Sequence, residues 1–400
     1  MAFHHASWVY LPSLREWLAD WFDPGRCGVL VFFMVSGYII PASLERRGSV
    51  RNFWIGRFFR IYPLLAVTSL LAVLPHLLGV LGLRAGLEQY SPATAVLAHA
   101  TMLQDLLDVP NAMNVLWTLS YEMAFYLLVV ALFVVGGHRR SASAAAVLTV
   151  VALVAVSLTA TGLLAGQYAP NALLSRTAGT GPVVAVTAAA LVVAIAAATS
   201  RRPGPQLAGG LLGGMIALVL VTVNGRIGAW EGLTMLAIMF MGTAVHRTEH
   251  GQITRRKAAV TAGVVLTGAI VAGTWHNSYR GINAQIVWCT AVLLAAATFA
   301  AAWRFRNRRF PRWATGLGTI SFSVYLLHPL MLTVAVQFLN VPARQDVLGL
   351  VLFLGVLVAL SWASHRWIEA PAQRLGRRLT RPARREQAPR PKVLASEGAG

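Results

Sequence analysis

Eleven apolar runs, each roughly 18 to 23 residues long, set the frame for this chain: 27–44, 61–83, 115–136, 143–165, 181–199, 206–223, 228–246, 257–274, 284–303, 319–339 and 345–364. A helix of that length crosses a hydrocarbon core of about 30 Å. Composition agrees with lipid as the main solvent. The 400 residues are 56% hydrophobic and 12% charged, whereas a soluble domain carries about 25% charged residues. The sequence therefore predicts an all-α, polytopic transmembrane bundle of about 10 to 11 spans.

A net charge of +20 in a soluble protein would point to nucleic acid. The positions of the charges point elsewhere. Loops between the runs alternate, and 27 of the 34 basic residues fall in one set of them, including Arg46, Arg47, Arg51, Arg57 and Arg60 and the tail from His365. The other set holds only Arg15, Arg26, Arg84, Arg176, Arg226, Arg280 and Arg344. The positive-inside rule makes the cation-rich face cytoplasmic, which places the protein in a bacterial-type plasma membrane with a cytoplasmic C-terminus and membrane lipids, not nucleic acid, as its surroundings. Cys27 and Cys289 lie at or inside runs and form neither a disulfide framework nor a metal motif; they read as small apolar core residues, and no metal is expected.

Residues 1–370 form the expected membrane domain. Residues 371–400, rich in Arg, Pro and Gly without apolar periodicity, are expected to be a disordered basic tail resting on anionic headgroups, at about 1 kcal/mol per cation. Residues 1–12 read like the second half of a hydrophobic helix, so the first helix is expected to be truncated. The segments 181–199 and 206–223 are the weakest spans because small residues are frequent in them. The long loop 84–114 contains an apolar piece, Pro92–Leu103, too short to cross; it is expected to dip into the interface and cover a site.

Ionisable side chains inside spans cost roughly 2.5 to 3.5 kcal/mol at a helix centre and mark function by default. Glu122 is the most deeply placed acid. On a helix it shares a face with Thr118 and Tyr126, and a carboxylate among hydroxyls can accept a proton or fix an imidazole; a plain helix-to-helix hydrogen bond is the competing reading. His4, His5 and His328 supply the side chain best suited to take a proton from an alcohol at neutral pH, against the bland alternatives of a solvated chain end and a satisfied core histidine before the kinking Pro329.

Ser36-Gly37-Tyr38 lies at lipid depth, where small residues also serve close helix approach. Arg57 and Arg60 are three apart, hence on one helix face. Two guanidinium forks can grip phosphate, and headgroup anchoring explains the deep Arg60 poorly.

His5-Ala6, Gly28-Val29 with Phe32-Phe-Met-Val-Ser-Gly-Tyr38, Arg57-Phe-Phe-Arg-Ile-Tyr-Pro63, Trp117-Thr-Leu-Ser-Tyr-Glu-Met-Ala-Phe-Tyr126 and Tyr325-Leu-Leu-His-Pro329, in that order, resemble the membrane acyltransferase 3 family. The resemblance covers roughly residues 1–370. It implies an O-acyltransferase that moves an acyl group, acetyl or similar, from acyl-CoA to a hydroxyl of a glycan or of a small molecule such as a macrolide sugar, with acyl-CoA as a substrate and no permanently bound cofactor. The family's essential histidine matches His5, with His4 second. Its paired arginines, connected with donor binding, match Arg57 and Arg60, and its intramembrane Glu matches Glu122. Family members carry an Arg about ten residues before the His, and this sequence begins four residues before it, which supports the expected truncation.

The mechanism expected from these residues sets the CoA diphosphate near Arg57 and Arg60. His5 takes the acceptor proton, Glu122 orients the imidazole, and Tyr38 or Ser36 donates to the oxyanion, with Tyr126 and His328 as further site residues. The rival reading is a transporter whose Glu and His relay protons. It gives the arginine pair no task, and no internal repeat supports it.

Overall fold

The computed structural model describes residues 1–84, 86–160 and 172–380, and among these there is no strand. The helices are α1 (Ala2–Tyr10), α2 (Pro12–Ala19), α3 (Pro24–Arg47), α4 (Val50–Leu77), α5 (Pro92–Ala100), α6 (Trp117–Val134), α7 (Ser141–Ala160), α8 (Leu173–Ala178), α9 (Thr180–Ala198), α10 (Pro203–Val223), α11 (Ala229–Glu249), α12 (Arg255–Asn277), α13 (Ile282–Phe305), α14 (Arg312–Thr333), α15 (Val347–Ser364) and α16 (Ala370–Leu379). Ten helical stretches among the described residues are long and apolar enough to cross a bilayer. α11, which is not among those ten, coincides with the seventh apolar run, 228–246; it carries Glu231, Arg247 and Glu249 near its ends and is buried along almost its whole length. The chain is thus an all-α, polytopic transmembrane bundle.

α6 and α11 form the middle. The apolar stretch of α6 is 83% buried, against 22% for that of α4 and of the α15 stretch, so the latter two face lipid. Small residues explain the tight centre. A Cβ on Gly37 of α3 would fall on the Met239 carbonyl of α11, and one on Gly242 of α11 would fall on the Met34 carbonyl. The two backbones touch there, the close approach that small residues permit, and Thr243 donates to the Gly37 carbonyl at 2.8 Å. The small-residue segments α9 and α10 are helices for the same reason: Gly209 abuts Ala194 and Ala198, while Gly210 and Gly214 abut Val134 and Ala131 of α6.

Two hydrophobic cores result. The larger runs through α3, α6, α7, α11, α12 and α13; a satellite of Ala6, Tyr10, Leu350, Phe353 and Leu357 ties α1 to α15.

The observed elements revise two boundaries. α4 starts at Val50, eleven residues before its apolar run, because Ser49 caps it by accepting from the Asn52 N–H at 3.3 Å; Arg51, Arg57 and Arg60 therefore stand on one continuous helix. The expected structureless tail begins instead with α16, which follows α15 through a π-helical turn at His365–Glu369. Gly376 lets α16 close on Phe59 of α4. Residues 381–400 of that tail, and the end of the run at 143–165 beyond residue 160, lie outside the described residues. The loop after α4 contains α5, a nine-residue helix too short to cross, and the 3₁₀ turn Gln104–Leu107 that follows is buried.

Candidate active site

Helix ends that the charge alternation assigns to the cation-poor face converge on one pocket of about 450 Å³, with His4 and His5 of α1, Asp23 and Arg26 at the start of α3, Asp105, Trp117 at the start of α6, and Arg226 and Glu231 around the start of α11 among its walls. The volume lies in the range of small-molecule sites. Arg26 Nη1 pairs with Glu231 at 2.8 Å, its Nε lies 3.9 Å from Asp23, and its guanidinium sits 4.9 Å over Trp288. His4 Nε2 lies 3.9 Å from Asp23.

His5 meets His328 across 323 positions of sequence: Nδ1 of His5 lies 2.8 Å from Nε2 of His328, and the rings stack with centroids 5.1 Å apart. His328 is fully buried, and its Nδ1 lies 3.0 Å from the Val324 carbonyl. A carbonyl only accepts, so His328 Nδ1 carries the proton and, in the neutral ring, Nε2 accepts. His5 Nδ1 must then be the donor, which leaves the lone pair of a neutral His5 on Nε2. Pairing with a carbonyl-anchored second imidazole fixes the tautomer of the first.

Glu122 does not touch either ring. Its Oε1 accepts a short hydrogen bond from Tyr126 one turn on, and both are buried on α6. Tyr126 packs edge-on against Phe53 and Trp54 of α4. The Arg57 guanidinium stands 5.5 Å over the Tyr126 ring and 5.4 Å over Phe53, a cation–π arrangement, and Arg57 and Arg60 are near enough to act electrostatically on Glu122. Arg57 is seven residues into α4 and Tyr126 eight residues before the end of α6, so the pair lies about 11 Å in from those helix ends at 1.5 Å per residue. Among the described residues neither arginine has a carboxylate within 4.0 Å.

Between the two ends stands Tyr325 of α14. Its hydroxyl forms short hydrogen bonds with Thr118 and with the Val115 carbonyl, its ring lies 6.2 Å from that of His328, and its face stacks on Phe32. The expected polar stripe Thr118–Glu122–Tyr126 is therefore part of a column: His5, His328, Tyr325, Thr118, Glu122, Tyr126, Arg57.

The remaining expected residues lie apart from the imidazoles. Ser36 is buried on α3. The Tyr38 hydroxyl forms a short hydrogen bond with Glu249 at the far end of α11, which also binds Arg306 at 2.7 Å, and its ring meets His246 edge-on. Among the described residues no group of three or more His, Cys, Asp or Glu is placed to hold a metal ion.

Sequence reasoning passed over several polar residues that the fold gathers. Arg26, Arg84 and Arg226, counted only as the sparse charges of the cation-poor face, all line the pocket. Their concentration in one place was the available signal. Asp105 gave none, lying in an ordinary polar loop. Glu369, 3% exposed, accepts a short hydrogen bond from Ser323 of α14 and has His365 3.6 Å away.

The sequence profile of the acyltransferase 3 family, described as an acyltransferase domain, matches residues 1–366. Among curated proteins, the chain is 35% identical over 104 residues to "Acyltransferase MdmB" of Streptomyces mycarofaciens, covering 26% of this chain and 27% of that protein. It is 30% identical over 141 residues to "Nodulation protein 10" of Rhizobium leguminosarum bv. viciae, covering 31% and 38%. These matches span well under half the length of either relative. No solved structure matches the chain.

Proposed function

The chain belongs to the acyltransferase 3 family, and from that premise we propose that it is a membrane O-acyltransferase that takes an acyl group, acetyl or similar, from acyl-CoA and delivers it to a hydroxyl of a glycan or small-molecule acceptor. The observation that carries this reading is the His5–His328 pair at the wall of a polar pocket, with the Tyr325–Thr118–Glu122 column running from it toward two arginines that make no salt bridge among the described residues. A polar line through the middle of a bundle is costly in lipid; a proton acceptor at one end and a phosphate grip at the other give it a use.

In the proposed reaction the acceptor occupies the pocket and its hydroxyl proton passes to Nε2 of His5. The oxygen attacks the thioester carbonyl, the carbon–sulfur bond breaks, and the CoA thiolate recovers a proton. His328, rather than Glu122, holds the His5 ring and shares the developing charge through the Nδ1 contact. Arg57 and Arg60 take the donor's phosphates, and Glu122 with Tyr126 fixes the floor on which Arg57 lies. The cation-rich face is taken as cytoplasmic, which puts the donor grip on the side where acyl-CoA is made and the pocket on the other, in a bacterial-type plasma membrane.

Mass spectrometry of cell glycans and secreted metabolites with and without the gene tests the reading. An acyl mass increment that disappears with the gene and with His5→Ala is expected. Identical profiles in all three strains would reject it.

A further inference from the structure

Asp105 sits in the turn Gln104–Leu107, between two residues with left-handed backbone, Met102 (φ 57°) and Asp108 (φ 56°). The turn is tied on every side. The Asp105 N–H donates to Ser120 of α6 at 3.2 Å, and its carbonyl accepts from the Arg226 N–H at 3.0 Å. Gln104 Nε2 donates to Asn111 Oδ1 and to the Leu116 carbonyl, each at 3.0 Å. Asn111 Nδ2 in turn donates to Asp105 Oδ1 at 3.0 Å. With the side chain 4% exposed, the other oxygen, Oδ2, is buried without a hydrogen-bond partner among the described residues.

Buried carboxylate oxygens are normally satisfied, and an orphan calls for an explanation. This one belongs to a residue that lines the same pocket as His5, and its surroundings hold it in place while leaving one acceptor without a partner among the described residues. Burial pushes the Asp105 carboxyl up to about 6, against the Asn111 hydrogen bond and the Arg226 charge, which pull it down; Asp108 and Glu231 push it up further. At neutral pH it is a carboxylate, and so can only accept.

The acylated hydroxyl gives up its proton to His5 and cannot serve both groups. We propose that Asp105 is a specificity-determining residue whose Oδ2 accepts a hydrogen bond from a second hydroxyl of the acceptor, so that the pocket selects polyhydroxylated, sugar-type acceptors over monohydric alcohols. Trp117, half-buried in the pocket wall, offers an apolar surface on which such a ring can lie. The inference rests on the acyl-transfer reading for the identity of the ligand as acceptor, but binding itself can be read without turnover.

The full chain, purified in detergent, is titrated with a panel of methyl hexosides, 6-deoxyhexosides and pentosides, their monodeoxy analogues and cyclohexanol, following tryptophan fluorescence; acetyl transfer from acetyl-CoA is measured on the same panel. Wild type is expected to bind at least one glycoside, to bind one of its monodeoxy analogues about tenfold or more weakly, and to ignore cyclohexanol. Asp105→Asn is expected to lose that discrimination, raising the Kd of the parent glycoside about tenfold and leaving the deoxy analogue unchanged; circular dichroism checks its fold, and Asp105→Glu is expected to restore part of the preference. Failure of wild type to bind any polyol, or unchanged discrimination in Asp105→Asn, overturns the proposal. Binding with the expected discrimination but without transfer supports Asp105 as a polyol-binding residue and rejects the acyl-transfer reading instead.

Discussion

The two ends of the polar column hold their charged groups in opposite ways. Around the pocket, charges of both signs balance in number: Arg26, Arg84 and Arg226 stand with Asp23, Asp105 and Glu231, and Arg26 pairs directly with Glu231. At the other end Arg57 rests on aromatic faces, and neither it nor Arg60 has a salt-bridge partner among the described residues. A hydrogen-bonding chamber whose side-chain charges balance suits an uncharged hydroxyl compound, because an ion of either sign there would meet repulsion as well as attraction. A pair of unneutralised guanidiniums suits an anion. On the proposed function, the contrast divides the bundle into two sites of different chemistry rather than one long binding surface.

The largest expected effect tests the chamber end. His5→Ala should lower kcat by about 10² to 10⁴, the range for loss of a positioned base, with the donor KM little changed; a residual rate within threefold of wild type would break the assignment. The double variant Arg57→Ala/Arg60→Ala tests the other end. Losing two charge-assisted contacts of about 1.5 kcal/mol each should raise the acyl-CoA KM roughly 10²-fold while kcat holds, the signature of lost uniform binding. An equal fall in kcat would mean that the two ends are not separate.

Tyr325→Phe probes the junction. It removes the hydroxyl bonded to Thr118 and the Val115 carbonyl, and a loss of about 1 kcal/mol, near fivefold in kcat, is expected, with both KM values nearly unchanged. An effect as large as that of His5→Ala would turn the column from a linker into part of the catalytic group.

The remaining prediction concerns stability rather than rate. Because the folded Asp105 carboxyl is raised from its ordinary 3.8 to about 6, the folded state keeps a proton that the unfolded chain has released. Stability is therefore lost as pH rises from about 4 to 6 and stays lost above it, by about 3 kcal/mol at 1.36 kcal/mol per unit. Asp105→Asn escapes this penalty. Its Tm should exceed that of wild type by a few degrees at pH 7.5 and by less at pH 4.5; the reverse order would place the charged form in a more favourable setting than the geometry gives it.

Much of the fold was legible because span length is a local property: twenty apolar residues announce a helix wherever they stand. The site was legible in its parts and not in its pairings. His5, His328, Glu122, Arg57 and Arg60 each stood out because polar groups at lipid depth are expensive, yet cost says nothing about which neighbour meets the expense. That depends on helix packing, and His5 and His328 are 323 positions apart. The expected Glu122–His5 contact was drawn between two conspicuous residues, while packing put a third, His328, between α1 and the bundle. Asp105 was missed because its burial comes wholly from tertiary contacts over a loop. Nor did composition foretell α16, whose Arg-rich sequence is helical because Gly376 finds Phe59 to lie on.

The backbone interlock at Gly37 and Gly242 bears on how a guest enters. With carbonyls seated where side chains would be, α3 and α11 have no slack in which to slide, so the walls they give the chamber, Val29 and Leu30 on one side and Glu231 and Met235 on the other, behave as a single fixed jaw. α1 is anchored differently, through its own small satellite core. Any widening needed to admit a bulky molecule is left to the chamber walls outside this interlock.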